Sequence, residues 1–142
     1  MPNSKNRLQN QLLRALFEKD RSEVTPRHLI LRYLHALMAQ IAQSAVCNRF
    51  HTIDQRLARW VLSSRDRTRR DRFPYTQEFL AQMLGVDRPA VTIAAGLLKR
   101  AGLIDYKRGT IAVIDAKGLE KVACECYSLL KREFQAIWRP SA

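Results

Sequence analysis

The segment Thr76-Gln-Glu-Phe-Leu-Ala-Gln-Met-Leu-Gly-Val-Asp-Arg-Pro-Ala-Val-Thr-Ile-Ala-Ala-Gly-Leu-Leu-Lys99 constrains this chain's fold more than any other stretch. It reads as two helices meeting at a glycine turn. Leu80, Leu84, Val91, Ala94 and Leu98 fall where a helix-turn-helix buries apolar side chains, and Ala81 is small where the two helices cross. Gly85 sits at the turn, where a positive φ is cheap only for glycine. Asp87 is an expected N-cap, and Pro89 falls in the first turn of the second helix, where a missing N–H costs little. Each signal alone is weak; their joint register is specific. Such a unit lays its second helix in a DNA major groove.

Composition points the same way. Twenty-five Lys and Arg against 13 Asp and Glu leave a net charge of +12 in 142 residues, which favours a polyanionic partner. An apolar fraction of 46% supports a core. No stretch approaches the roughly 20 uninterrupted apolar residues of a membrane span. The most apolar segment, 29–46, is broken by Arg32, His35, Gln40 and Gln43. The polar N-terminus carries no signal-peptide pattern. Three cysteines, an odd number, then read as reduced thiols in a cytoplasm.

The remaining segments predict a mainly α chain with a small β-hairpin wing. Arg7 to Lys19 has Leu8, Leu12, Leu13, Leu16 and Phe17 on one helical face, and a charged linker follows. Thr25-Pro26 starts a long helix to about Val46. Its Ile30, Leu34, Leu37 and Ile41 alternate at spacings of four and three, an a/d seam that fits a two-fold homodimer. The alternative is a helix packed on its own domain. Cys47 to His51 reads as a hinge. Thr52-Ile-Asp-Gln55 is a capping box opening a helix with Ile53, Leu57, Trp60, Val61 and Leu62 inward and Arg56 and Arg59 outward. Arg65 to Arg72 reads as a charged loop, equally suited to DNA contact and to a solvated surface. After the motif, Gly102 is the expected C′ residue, and Asp105 to Ile114 forms a hairpin around Lys107-Arg108-Gly109. One final helix is expected from about Leu119 to Trp138. The corresponding divisions are 1–25, 26–47, 48–127 and 128–142.

On the second motif helix, Arg88, Pro89, Thr92, Ile93 and Gly96 remain outward once the apolar positions are buried. Arg88 suits bidentate contact to guanine. Ile93 and the Thr92 methyl suit thymine methyls. Thr76 and Gln77 place free N–H groups at a helix start, which suits a phosphate. Lys107 and Arg108 on the wing are expected phosphate contacts, with Lys99 and Arg100 less suited. No catalytic motif is present, and His28, His35 and His51 have no metal spacing, so no enzyme activity, cofactor or metal is expected. Cys124-Glu-Cys126 is tighter than a C-x₂-C knuckle and lacks a second pair. On a helix its thiols would point apart, so they read as structural.

Asn48-Arg-Phe-His, Gln55-Arg-Leu-Ala-Arg-Trp, the Thr76 to Arg88 run, Val91-Thr, Ala101-Gly-Leu-Ile and Gly109-Thr-Ile together resemble the C-terminal half of Crp/Fnr transcription regulators, over about Pro26 to Tyr127. The resemblance implies a sequence-specific DNA-binding regulator, dimeric on a palindromic operator of double-stranded DNA, with RNA polymerase as a further partner if it activates. Family members carry a sensor barrel of about eight strands before the dimer helix, for which the 25 residues ahead of Pro26 are too few. The expectation is a chain that keeps the family's first helix and has lost the barrel. The family's four-cysteine iron–sulfur set is absent. Pro89 and Ile93 stand where members often carry Glu and Arg, while Arg88 matches a position that reads guanine or holds phosphate. A different class of function also fits: an interaction protein that heterodimerises with full-length relatives through the long helix and modulates them.

Overall fold

The computed structural model describes residues 26–137. The expected helix over residues 7–19, the linker to Thr25 with its cap, and the end of the last helix at Trp138 lie outside them. Helix α1 (Pro26–Phe50) leads to α2 (Ile53–Thr68), then strand β1 (Arg72–Phe73), α3 (Gln77–Leu84) and α4 (Arg88–Arg100). Strands β2 (Ile104–Lys107) and β3 (Thr110–Val113) form the hairpin, and α5 (Ala116–Val122) and α6 (Cys126–Ile137) close the described chain. The architecture is the expected one: mostly helical, a winged helix-turn-helix preceded by a long helix.

One core joins α2, α3, α4, the sheet and α5. Leu57, Val61 and Leu62 of α2 meet Leu80 and Leu84 of α3, Val91, Ala94, Ala95 and Leu98 of α4, and Ile104, Ile111 and Leu119. Periodicity explains this: each helix puts an apolar residue inward every three or four positions. Trp60, Tyr75 and Phe79 extend the core as an aromatic cluster with ring centroids 5.1–5.7 Å apart.

The caps work as their residue types predict. The Thr76 hydroxyl accepts from the Phe79 N–H at 3.1 Å, and the Asp87 carboxylate from the Ala90 N–H at 2.9 Å. Gly85 has φ 62°, the left-handed conformation the motif turn demands. At the end of α4 the Gly102 N–H bonds the Lys99 carbonyl and the Leu103 N–H the Leu98 carbonyl, closing the helix as a Schellman-type cap. The Thr52 N–H donates to Gln55 Oε1 at 3.2 Å, one arm of the predicted capping box.

Four expectations need correction. Cys47 to His51 is not a hinge. α1 continues to Phe50, and the His51 N–H still bonds the Cys47 carbonyl at 3.1 Å, because Cys47 is fully buried and anchors the last turn. Arg56 and Arg59 do not face outward; both are about 5–6% exposed. The Arg56 guanidinium donates to the Leu84 carbonyl, satisfying an orphan acceptor at the C-terminus of α3. Arg65 to Arg72 is not one loop. Its first residues are the last turn of α2, and Arg72 enters β1, which pairs antiparallel with β3 to make a three-stranded sheet in the order β1-β3-β2. Two residues are too few for a readable alternation, so periodicity misses β1.

The fourth correction concerns the C-terminal helix, which is two. Ala123 turns extended (φ −61°, ψ 144°), and α6 restarts at Cys126. The break lets α6 fold back along α1, its main packing partner. There Ala36, Leu130 and Ile137 are buried, and the Arg67 guanidinium sits 4.8 Å from the Phe134 ring centroid. Inside α5, Gly118 is required by space: a Cβ there would lie 2.6 Å from Leu103 Cδ2.

Candidate nucleic-acid interface

The first turn of α4 is exposed along Arg88, Pro89, Thr92 and Ile93, while Val91, Ala94 and Ala95 are buried beneath it. Ile93 is 65% exposed, and Leu97, one turn on and not anticipated from the sequence, is 45% exposed. Two bare aliphatic side chains are thus exposed on one helix face among the described residues. Thr92 Oγ1 donates back to the Arg88 carbonyl at 3.0 Å, leaving its methyl free to point outward. Arg88 Nε lies 3.7 Å from Glu78 Oε2, an exposed pair of small energetic weight.

The wing is fastened to this motif rather than hanging from it. β2 and β3 pair from Ile104↔Val113 to Lys107↔Thr110, and the turn residues Arg108 and Gly109 have φ 50° and 73°. Positive φ at both central positions is the two-residue turn that suits the twist of a hairpin. The tip comes close to the start of α3: a Cβ at Gly109 would sit 3.5 Å from Thr76 Cγ2. The Tyr106 phenol lies near the Gln77 backbone, and burial pushes its pKa up. Thr76, Gln77, Lys107 and Arg108, separated by some thirty residues of sequence, therefore gather in one place.

Lys99 has a different use. Its Nζ is 2.7 Å from Asp105 Oδ1 and donates to the Tyr106 carbonyl at 3.3 Å, tying α4 to β2. The Lys99 ammonium bonded to it holds the Asp105 carboxyl below its usual range. The arginine run divides likewise. Arg65 pairs with Asp71, and Arg67 donates to Gln40 and covers Phe134. Arg69, Arg70 and Arg72 are exposed.

On the far side of the fold, Cys47, His51, Cys124 and Cys126 bring their donor atoms within 4.8 Å of one another. Sequence spacing concealed this group, because Cys124 and Cys126 do not share a helix. They flank the α5–α6 break and both turn inward to Cys47. Hydrogen bonds from the Cys124 and Cys126 thiols hold the Cys47 thiol far below its ordinary pKa, with Arg59 and Arg56 adding to the effect. Cys124 moves the opposite way.

A glycine-turned helix pair on a shared core, with a hairpin fastened beside the start of its first helix, defines a winged helix-turn-helix. Residues 55–122 match the family model of the Crp-like helix-turn-helix domain. No curated protein matches the chain significantly. Among solved structures, one assigned as a Crp/Fnr-family transcriptional regulator from Eubacterium rectale aligns with a TM-score of 0.56 and 26% identity, over 63% of this chain and 44% of its own. The catabolite activator protein of Thermus thermophilus aligns at 0.46 and 23% identity, over 84% and 46%. Reduced, ligand-free CprK aligns at 0.42 and 21%, over 80% and 56%. The chain thus spans about half the length of these structures. The resemblance read from the sequence holds for the domain. Among the described residues there is no barrel, and no helix is long and apolar enough to cross a membrane.

Proposed function

We propose that this chain is a sequence-specific DNA-binding transcription regulator of Crp/Fnr type, working in the cytoplasm as a homodimer on a palindromic operator. It does so through the described residues, which include no effector-sensing barrel. The observation that carries the reading is the exposed Arg88–Ile93 face of α4 beside a basic wing, in a chain of net charge +12. Arg88, Pro89, Thr92 and Ile93 select sequence in the major groove. Thr76 and Gln77 offer the N-terminus of α3 to one phosphate, and Lys107 and Arg108 reach others. Phosphate contacts supply most of the affinity, and base edges supply the choice.

Two substitutions separate these roles. Arg88→Ala is expected to cost about 1–3 kcal/mol at one base position and to relax specificity there. Selection from randomised duplexes would register this as one degenerate position in an otherwise retained motif. Lys107→Ala is expected to weaken binding to all sequences alike and to reduce the salt slope by about one unit, read from affinity titrations over a salt series. If neither variant alters DNA binding, the groove face lies elsewhere.

The seam on α1 supports the dimer. Ile30, Leu34 and Ile41 are 59%, 46% and 63% exposed, Met38 beside them is exposed, and Leu37 is half-buried. α6 packs along α1, and among the described residues this stripe stays exposed, as pairing with a partner helix requires. Mass in solution, measured with the selection, tests the reading. A dimer and an enriched two-fold motif, with half-sites about one helical turn apart, would support it. A monomer with no enriched motif would overturn it.

A further inference from the structure

We propose that Cys47, His51, Cys124 and Cys126 form a structural Zn²⁺ site that clamps the C-terminal end of α1 to the α5–α6 break. The inference does not depend on the DNA-binding reading. The four residues supply three sulfurs and one imidazole nitrogen, a donor set suited to zinc. Cys47 and His51 are four apart, so the last turn of α1 presents both on one face. The extended residue Ala123 ends α5 and brings Cys124 and Cys126 inward from the other side.

Two edges of the group already have tetrahedral lengths, and all four donor atoms lie within 4.8 Å of one another. Cys47 Sγ and Cys124 Sγ are 3.6 Å apart, and Cys126 Sγ and His51 Nδ1 are 3.5 Å apart. Around a tetrahedral zinc with Zn–S near 2.3 Å and Zn–N near 2.0 Å, neighbouring sulfurs sit about 3.8 Å apart and a sulfur and nitrogen about 3.5 Å. All three cysteines are buried, as in closed structural sites rather than open catalytic ones.

The surroundings are also those of a metal site. His51 Nε2 lies 3.2 Å from Glu125 Oε1, so a carboxylate fixes the tautomer that frees Nδ1 for a metal. Gln43 Nε2 donates to Cys126 Sγ at 3.0 Å, a bond that a ligating thiolate accepts better than a thiol. Arg56 and Arg59 are buried near Cys47, and the Nε atoms of both lack hydrogen-bond partners. Two buried guanidiniums need an anion. Zn²⁺ with three thiolates carries one negative charge and supplies it; three protonated thiols do not.

The test uses the untagged full chain, purified under reducing conditions, with metal content and native mass measured together. The expected result is one zinc per chain. Co²⁺ substitution should produce thiolate-to-cobalt charge-transfer and tetrahedral d–d bands. Zinc should raise the melting temperature, and a chelator should reverse the rise. Cys124→Ser should lose the cobalt spectrum. Should that variant not fold, Glu125→Gln keeps all four ligands and should weaken zinc binding by about 10–100-fold without changing its stoichiometry. A reduced, helical chain that takes up neither zinc nor cobalt would overturn the proposal. So would a cobalt spectrum unchanged in Cys124→Ser, or zinc affinity unchanged in Glu125→Gln.

Discussion

Replacing Ile41 by Asp is expected to leave a folded chain that is monomeric and binds a palindromic duplex about 10²–10⁴-fold more weakly. The side chain is 63% exposed, so the substitution removes little from the protomer's own core. In a paired helix the same position would bury a carboxylate in an apolar seam, which costs several kcal/mol unless it is paired. Two recognition helices held on one dimer bind the second half-site at high effective concentration; separated protomers lose that gain. Sedimentation or light scattering reads the mass, circular dichroism checks that α1 persists, and a binding titration against a selected site reads the affinity. If the variant remains dimeric, the Ile30–Leu34–Ile41 stripe is not the interface. The same stripe would serve pairing with a full-length relative. A dimer formed by this chain alone favours the homodimer, whereas a lone monomer that forms mixed dimers with such a relative favours the modulator.

Replacing Leu80 by Ala should destabilise the fold by about 2–5 kcal/mol. Leu80 is fully buried in the core that holds α2, α3, α4 and the sheet together. Truncation removes both the transfer free energy of the lost atoms and the contacts of the surrounding side chains, which can collapse only partly into the space. Single-domain stabilities are about 5–15 kcal/mol, so the loss is a large fraction of the whole. Denaturant titration would show a lower midpoint with the slope unchanged. Ile93→Ala is the control. Its side chain is 65% exposed, and its removal should barely move the midpoint. A Leu80→Ala midpoint equal to wild type would mean that the helix-turn-helix core does not carry the fold.

Local signals made much of the motif legible. Leu80, Leu84, Val91, Ala94 and Leu98 are buried as their spacing requires, Gly85 takes its positive φ, and Asp87 and Thr76 cap their helices. Each of these depends on residues within four or five positions of one another, so the chain states them directly. Ile93, apolar yet left outward by the register, is exposed for the same reason.

What tertiary structure alone decided is where distant segments meet. Arg56 and Arg59 look like surface charges by periodicity, because nothing nearby in sequence announces the Leu84 carbonyl that Arg56 bonds. β1 exists only because β3 supplies its partner strand. The single long C-terminal helix expected from its apolar positions breaks at Ala123, and just beyond the break Cys124 packs on Cys47, more than seventy residues earlier. Helical propensity is a sum of small local preferences, a few tenths of a kcal/mol per residue, and burying thiols against a distant helix outweighs it. The sequence by itself therefore determined a glycine-turned helix pair, its caps and its outward face. Only the folded chain determined which cations are buried, where the wing rests, and that three cysteines and a histidine share one shell. Those outcomes depend on through-space distances that sequence separation does not encode.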